Sequence, residues 1–127
     1  MHNKCIGDLS DANFAQKDYR EVFSPNGIQK YSELAGKQIK TIDDLADAIK
    51  SGLIKSNQIQ LDYIVRDGNK LILNTRTSQS LIRAGVPRSA WVGINRTGNL
   101  FYEQLLTNQL IRNGLTSSGW INPISLI

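Results

Sequence analysis

The fold that this sequence predicts depends on residues 71–98, LILNTRTSQSLIRAGVPRSAWVGINRTG. The stretch begins as a short apolar strand that leads into Asn74, and it continues as a helix that Thr77 caps and Gly85 closes. A proline-containing turn then introduces a second apolar run, which ends at Asn95 and continues into Arg-Thr-Gly. Both apolar runs therefore end in amide, hydroxyl and guanidinium groups. We expect a polar site where these side chains leave the core.

A β-hairpin is predicted immediately before this stretch. Residues 59–66 alternate between two faces, and residues 67–69, Asp-Gly-Asn, have the composition of a tight turn. Such a turn pairs odd-numbered residues of the first strand with even-numbered residues of the second, which places Tyr63 and Ile72 on one face and Ile64 on the other. Because both faces carry apolar residues, we expect a central strand pair that is mostly covered.

Helices are predicted on both sides of the hairpin from apolar spacing and from end signals such as N-caps, glycines and a capping box. The predicted helices are residues 11–24 behind Asp11, residues 28–35 before Gly36, a helix from the Thr41/Asp44 capping box to Gly52, residues 78–84, and residues 99–113 before Gly114. Tyr31 is interpreted as a core residue. Residues 120–127 are left open between an edge strand and a segment that faces a partner.

We expect a single domain, residues 1–127, of the α+β class, in which N-terminal helices pack on a small, mostly antiparallel sheet. Residues 1–10 are predicted to be disordered, residues 11–55 to be helical, and residues 59–127 to form the sheet-and-helix catalytic part. A hydrophobic content of 40% and a charged content of 20% are those of an ordinary globular protein. No apolar run approaches the roughly 20 residues of a membrane-spanning helix, so no spanning segment is expected in this domain.

Cysteine and histidine each occur once. Cys5 cannot form an internal disulfide, and His2 cannot complete a Cys/His metal cluster. Both lie in the N-terminal segment that is predicted to be disordered, so neither is expected to be catalytic. Without a usable histidine, a serine or cysteine triad has no support. The sequence also lacks the Gly-rich motifs that bind dinucleotides or nucleoside triphosphates.

Positive charge is concentrated in the second half of the chain. Residues 1–65 hold eight Lys and Arg against nine Asp and Glu, whereas residues 66–127 hold seven against two. Six of those seven cations are arginines, whose planar guanidinium groups suit phosphate. This distribution favours a surface that binds a polyanion over a merely solvated basic face.

RNA cleavage needs neither metal nor histidine, because the substrate carries its own nucleophile, the 2′-hydroxyl. The protein has to align that oxygen with the phosphate and to stabilise the developing charge with cations and fixed donors. A metal-dependent DNase instead needs convergent carboxylates, and residues 62–127 contain only Asp62, Asp67 and Glu103. The composition therefore favours a metal-independent ribonuclease that uses no cofactor.

The candidate site residues come from the two polar strand ends and from cations near them. Arg76 and Arg96 are expected to stabilise charge, and Asp62 is expected to orient Arg76 or to act as a base. The candidate catalytic residues are Asp62, Asn74, Arg76, Thr77 and Arg96, and the candidate substrate-binding residues are Lys70, Thr75, Arg88, Asn95 and Thr97. For the threonines and asparagines, a role in a cap or turn is the competing interpretation.

A resemblance to a known family covers most of the chain. It is carried by ANFAQK (12–17), TIDDLADAIKSG (41–52), DYIVRDGNKLILNTRTSQSLIRAGVPRSAW (62–91) and NRTGNLFYEQLLTNQLIRNGL (95–115). These segments resemble the variable C-terminal toxin domains of contact-dependent growth inhibition (CdiA-type) and related polymorphic toxin proteins of Gram-negative bacteria. The resemblance implies the small barnase/colicin/RelE-like α+β fold, with a ParB-like domain as the alternative.

The same resemblance implies a toxin that is exported to the cell surface as part of a larger protein and acts in the cytoplasm of a target bacterium. A cognate immunity protein would neutralise it. Many such domains are nucleases, and several cleave transfer RNA (tRNA), some only when it is bound to elongation factor Tu. The expected function is therefore an antibacterial, metal-independent endoribonuclease that acts on tRNA.

Two other functions stay open. One is a toxin that binds nucleic acid or a translation factor without cleaving it. This function predicts salt-dependent binding without a cleavage product. The other is a metal-dependent DNase. The lack of a usable histidine separates this chain from the histidine-dependent ribonuclease toxins.

Overall fold

The computed structural model describes residues 6–126, and residues 1–5 and 127 lie outside that part. His2 and Cys5, with the disorder predicted around them, therefore fall outside the described residues. Four α-helices and seven short strands occur within residues 6–126. They are β1 (Ile6–Gly7), β2 (Asn13–Phe14), β3 (Asp18–Arg20), α1 (Pro25–Ala35), α2 (Ile42–Lys50), β4 (Gln60–Arg66), β5 (Asn69–Ile72), α3 (Thr75–Arg83), β6 (Val92–Asn95), α4 (Leu100–Asn113) and β7 (Ile124–Leu126). No helix among these is long and apolar enough to cross a membrane.

A five-stranded sheet in the order β1-β6-β4-β5-β2 forms the centre of the fold, and β3 pairs with β7 in a separate two-stranded sheet. The predicted α+β class is confirmed. The central sheet is mixed, however, where the sequence predicts mostly antiparallel pairing: β4 is antiparallel to β5 but parallel to β6, and β5 is parallel to β2. The chain passes through α3 between β5 and β6 and so crosses to the other side of β4. Adjacent parallel strands such as β4 and β6 require a long connection of this kind.

The predicted hairpin is confirmed as the middle of this sheet. Tyr63 pairs with Ile72 across a two-residue turn. Both turn residues have positive φ, 52° for Asp67 and 80° for Gly68, and this backbone matches the twist of the flanking strands. Tyr63 and the next residue, Ile64, are both buried but belong to different core clusters. The strand pair is therefore covered on both faces, as the sequence predicts.

Helices cover the two faces of the sheet unequally. Tyr63 belongs to a large core cluster with buried residues of α1, α2 and α3, whereas Ile64 belongs to a smaller cluster with Leu106 and Leu110 of α4. The first turn of α4 lies outside the core, because Phe101 is 70% exposed. Only the middle and the end of α4 therefore contribute buried leucines to the core.

The N-terminal segment differs from its prediction. Residues 11–24 contain β2 and β3 where a helix is predicted, and β2 pairs with β5. Phe14 is buried, and its N–H and C=O exchange hydrogen bonds of 2.8 Å with Trp120. Backbone pairing with distant segments therefore overrides an apolar spacing that suits a helical face. Predicted disorder is also wrong for residues 6–10, because β1 pairs with β6 and Leu9 is fully buried.

The helical part begins with α1. Pro25 occupies its first turn, where a missing N–H leaves no hydrogen bond unmade, and Ser24 Oγ accepts from Gly27 N–H at 3.2 Å. The predicted capping box of α2 is confirmed: Thr41 Oγ1 accepts from Asp44 N–H, and Asp44 Oδ2 accepts from Thr41 N–H, at 3.1 Å each. These caps fix where both helices start.

Helix α3 begins three residues before its predicted start. Asn74 is the N-cap residue and Thr75 the first helical residue, so Thr77, the predicted cap, lies within the first turn. Asn74 Oδ1 accepts a hydrogen bond of 2.5 Å from Asp62 N–H on β4. The start of α3 is therefore tied to the central strand of the sheet.

The loop that carries Trp120 depends on Gly119, where φ is +69° and an added Cβ would lie 2.5 Å from Leu71 Cδ2 and 2.7 Å from Phe14 O. We expect Gly119→Ala to lower the free energy of unfolding by about 2–5 kcal/mol, because the left-handed backbone and the overpacking both disfavour a side chain. Denaturant unfolding measures the change. Gly36→Ala is the matched control, because φ is +71° there and the space is open. Equal losses in the two variants would contradict the close packing at position 119.

Candidate functional site

A pocket of about 290 Å³ lies where the N-termini of α1 and α3 come together. Its volume is just below the range of about 300–1,000 Å³ for small-ligand sites. Its lining residues are Gln16, Phe23, Ser24, Asn26, Gly27, Lys30, Tyr31, Leu73, Asn74, Thr75, Arg76, Thr77 and Gln109. The structure therefore brings together four of the predicted site residues, those at positions 74–77.

The N-terminus of α3 has no side-chain cap at this pocket. Asn74 occupies the N-cap position, but its Oδ1 accepts from Asp62 N–H and it makes no capping hydrogen bond. The first-turn N–H groups of a helix have no intrahelical acceptor, so this turn presents donors and a partial positive charge. Such a helix start favours an anion such as phosphate.

Two cationic side chains line the pocket, Lys30 from α1 and Arg76 from α3. Arg76 Nη1 donates to Val22 O at 2.5 Å, which anchors the guanidinium to the segment before α1. Burial lowers the pKa of Arg76, and the positive charge of Arg20 lowers it further. A guanidinium nevertheless stays protonated in proteins. The pocket thus combines two positive side chains with an uncapped helix start.

A buried pair of hydroxyl groups lies at the same pocket. Tyr31 OH and Thr77 Oγ1 are 2.7 Å apart, and Tyr31 is 4% exposed. Burial raises the pKa of Tyr31; the hydrogen bond to Thr77 opposes this rise, and the negative charge of Asp62 adds to it. Tyr31 is therefore a neutral phenol at neutral pH, with a proton that it can donate.

Two oxygens of the pocket residues have no hydrogen-bond partner within residues 6–126, the Thr75 hydroxyl and the Gln109 amide oxygen. Both residues are more than nine-tenths buried, and an unpaired buried polar group costs about 1–3 kcal/mol. Gln109 Nε2 donates to Leu73 O at 3.5 Å, so the other end of the amide, Oε1, is the free acceptor. Both oxygens are closed to solvent, so a ligand reaches them only when neighbouring side chains move aside.

Asp62 and Arg96 form an ion pair outside the described lining of the pocket. Arg96 Nε donates to Asp62 Oδ1 at 2.8 Å, and the guanidinium lies 4.7 Å from the centre of the Tyr102 ring. The carboxylate that is predicted to orient Arg76 is thus paired with Arg96. The hydrogen bond from Asp62 N–H to Asn74 Oδ1 links this ion pair to the start of α3.

Arg88 and Lys70, two predicted substrate-binding cations, hold the N-terminal segment. Arg88 Nη1 donates to Ala12 O at 2.9 Å, and its guanidinium lies 4.8 Å from the centre of the Trp91 ring. Lys70 Nζ donates to Asp8 O at 2.6 Å. The structure places both cations outside the described lining of the pocket, where their contacts are internal.

Asn95 and Thr97 make hydrogen bonds within the protein. Thr97 Oγ1 accepts from Val65 N–H at 2.8 Å, and Asn95 Oδ1 accepts from Thr97 N–H at 2.9 Å. The Asn95 contact is a local one of the kind that asparagine commonly makes in turns, whereas the Thr97 contact joins the loop after β6 to β4. Both side chains therefore have partners within the fold, whereas Thr75 and Thr77 lie at the pocket.

Sequence reasoning misses Lys30, Tyr31 and Gln109 as site residues. The prediction that Tyr31 is buried is confirmed, but the sequence does not indicate that its hydroxyl reaches Thr77. The dipeptide Ser-Pro at residues 24–25 is a signal for a helix start, and it would have placed the N-terminus of α1. For Gln109 there is no local signal, because only the packing of α4 brings it to the pocket.

Within the described chain, no three His, Cys, Asp or Glu side chains are grouped as metal ligands. The acidic residues at the start of α2 have other partners. Asp44 closes the capping box, and Asp43 Oδ1 accepts from Arg83 Nη1 at 2.8 Å. These carboxylates therefore stabilise the helix start and its contact with α3.

Comparison with known proteins finds no matching family model, no matching characterised protein and no matching solved structure. The pocket residues and their contacts are therefore the basis on which a function is inferred.

The titration of Tyr31 tests the environment of the pocket. We expect Tyr31→Phe to remove an ionisation step that lies above pH about 10, the ordinary tyrosine value, because burial disfavours the phenolate. Ultraviolet absorbance during a pH titration measures this step. Burial of the neutral phenol contributes to the free energy of unfolding below about pH 10. This contribution is lost as the pH rises through the raised pKa of Tyr31.

Thr77→Val provides the directional control for this titration. Its side chain keeps the shape of threonine but cannot hydrogen-bond to Tyr31, and that bond lowers the pKa of Tyr31. We therefore expect the Tyr31 step to move to still higher pH in Thr77→Val. A step at or below pH 10 in the parent protein would contradict the buried hydroxyl pair.

Proposed function

We propose that the protein is an antibacterial toxin that acts as a metal-independent endoribonuclease on tRNA in the cytoplasm of a target bacterium. The observation that carries the proposal is the pocket at the start of α3, where uncapped amides, Arg76 and Lys30 surround one volume. Cations and fixed donors of this kind stabilise the charge that develops on a phosphate during cleavage. Cleavage through the 2′-hydroxyl then requires no metal ion.

The residues of the pocket suit the individual parts of this reaction. The 2′-oxygen of the RNA attacks the adjacent phosphorus, the bond from phosphorus to the 5′-oxygen breaks, and a 2′,3′-cyclic phosphate forms. The α3 amides, Arg76 and Lys30 bind the non-bridging oxygens, and neutral Tyr31 donates a proton to the departing 5′-oxygen. The proton of the 2′-hydroxyl passes to water, and Tyr31 is reprotonated from water.

Gln109 favours RNA over DNA as the ligand. Its Oε1 is a buried acceptor without a partner in the part of the chain that the structure describes, and an acceptor needs a donor. The 2′-hydroxyl of RNA is such a donor once the side chains that cover Oε1 move aside, and DNA lacks it. The Thr75 hydroxyl, the other unpaired group, is able to donate to a phosphate oxygen.

The toxin role and the choice of tRNA are supported by the resemblance of residues 62–91 and 95–115 to the contact-dependent growth inhibition toxins. On this proposal the domain is delivered as part of an exported surface protein. A cognate immunity protein blocks it in the producing cell. Elongation factor Tu is a candidate partner that would present the tRNA.

A second candidate function is a toxin that binds nucleic acid or a translation factor and acts by occupancy. One observation favours it: the described lining of the pocket contains neither histidine nor carboxylate, so no side chain there is a strong general base. A metal-dependent DNase is the third candidate. It would require carboxylates to converge on a metal ion when DNA binds.

The proposal is tested by incubating the purified domain, free of any immunity protein, with total bacterial RNA in excess EDTA, with and without elongation factor Tu. Sequencing of the RNA ends should find discrete tRNA fragments with 2′,3′-cyclic phosphate and 5′-hydroxyl ends.

We expect Arg76→Ala to slow cleavage by about 100- to 1,000-fold, since removal of one charge-stabilising donor has an effect of that size. Arg76→Lys should keep part of the rate because it keeps the charge.

Lys50→Ala is the control for loss of one positive charge, because Lys50 pairs with Asp47 on the exposed surface of α2. Its rate should equal that of the parent protein. Intact RNA in every condition, together with tight, salt-sensitive binding, would contradict the ribonuclease and favour occupancy. Cleavage of DNA that depends on added divalent metal would favour the DNase.

A further inference from the structure

A second cavity adjoins the pocket and is strongly basic. It has a volume of about 430 Å³ and is lined by Gln16, Lys17, Asp18, Arg20, Arg112, Asn113 and Leu126. Gln16 also lines the pocket described above, so the two volumes share a wall. Arg20 of this cavity is also close enough to Arg76 for its positive charge to add to the effect of burial in lowering the pKa of Arg76.

Three cations in this cavity are available to a ligand. Lys17, Arg20 and Arg112 form no ion pair with any residue in the described range 6–126. Arg20 and Arg112 are exposed, and Asp18 is the one carboxylate of the described lining. The cavity therefore carries a surplus of positive charge next to the phosphate site.

An aromatic ring lies beside Lys17, one of the cations that line the basic cavity. Lys17 Nζ lies 5.2 Å from the centre of the Trp120 ring, and Trp120 is 41% exposed. Two backbone hydrogen bonds of 2.8 Å with Phe14 fix the position of Trp120. The ring also lines a neighbouring cavity of about 410 Å³, together with Asn13 and residues 118–122. The ring is half-exposed, its backbone is held at Phe14, and its neighbour Lys17 lines the basic cavity.

We propose that Lys17, Arg20, Arg112 and Trp120 form a track for an unpaired RNA segment that leads away from the pocket. This inference rests on the proposed function and names the structural class of its substrate. The cations follow the phosphate backbone, and Trp120 stacks on one base. A base within a duplex is already stacked on its neighbours, so only an unpaired segment can use the ring. The cleaved tRNA region is therefore a loop or a single-stranded end.

Binding is measured with a single-stranded 2′-O-methyl RNA oligonucleotide, which cannot be cut through its 2′-oxygen, and with a duplex of the same sequence. Tryptophan fluorescence reports directly on the track, because the other tryptophan, Trp91, is 5% exposed. We expect saturable quenching by the single strand and at least tenfold weaker binding of the duplex. Equal affinity for duplex and single strand would overturn the track, as would binding without quenching.

Substitutions separate stacking from charge. Trp120→Ala should weaken binding of the single strand by roughly tenfold or more, whereas Trp120→Phe should lose the quenching but keep most of the affinity.

The double variant Lys17→Gln/Arg112→Gln should reduce the slope of log affinity against log salt by about 1.4, the value for two lost phosphate contacts to a single strand. Lys50→Gln/Lys55→Gln, a matched change of two cations outside the track, should leave the slope unchanged. Equal slopes in both double variants would overturn the inference.

Failure of the track is distinguishable from failure of the proposed function. A dinucleotide occupies the pocket alone, so Lys17→Gln/Arg112→Gln should cleave it at the parental rate and should show a raised KM only on longer RNA. Equal losses on both substrates would overturn the track but keep the ribonuclease. If no RNA is cleaved at all, the proposed ribonuclease fails, and the fluorescence titration still decides whether the track binds a single strand.

Discussion

The hydrogen bond from Asp62 N–H to Asn74 Oδ1 is the contact on which the candidate site depends. It joins the central strand β4 to the residue before α3, so the sheet fixes where the helix begins. The same bond occupies the oxygen that an N-cap asparagine normally gives to its own helix, a contribution of about 1 kcal/mol. The bond to β4 offsets that loss, and the first-turn amides of α3 remain available at the pocket.

Electrostatics explain why an anion fits this pocket. Arg76 is partly buried and lies in the field of Arg20, and both effects lower its pKa. A lowered pKa means that the surroundings destabilise the positive charge. A bound phosphate would supply the missing negative charge and acceptors for the helix amides. Neutral Tyr31 adds a proton donor without adding charge, since its burial disfavours the phenolate.

Local sequence predicts those parts of the fold that local interactions determine. The turn at Asp67, the capping box at Thr41 and the cluster of polar residues 74–77 are each contiguous signals, and each occurs where the sequence places it. Residues 11–24 were predicted wrongly because their apolar spacing fits a helix, whereas their backbone pairs with β5 and with Trp120. Such pairing depends on the sheet edge and on a C-terminal loop, which no local pattern contains.

We expect the uncapped start of α3 to bind a phosphate group. Backbone amide chemical shifts measured by NMR during titration with a nucleoside 3′-monophosphate test it most directly. We expect the largest shifts at the amides of Thr75, Arg76 and Thr77, and weaker binding in Arg76→Ala. Saturable binding whose largest shifts lie elsewhere, or no shift at these three amides, would contradict the account.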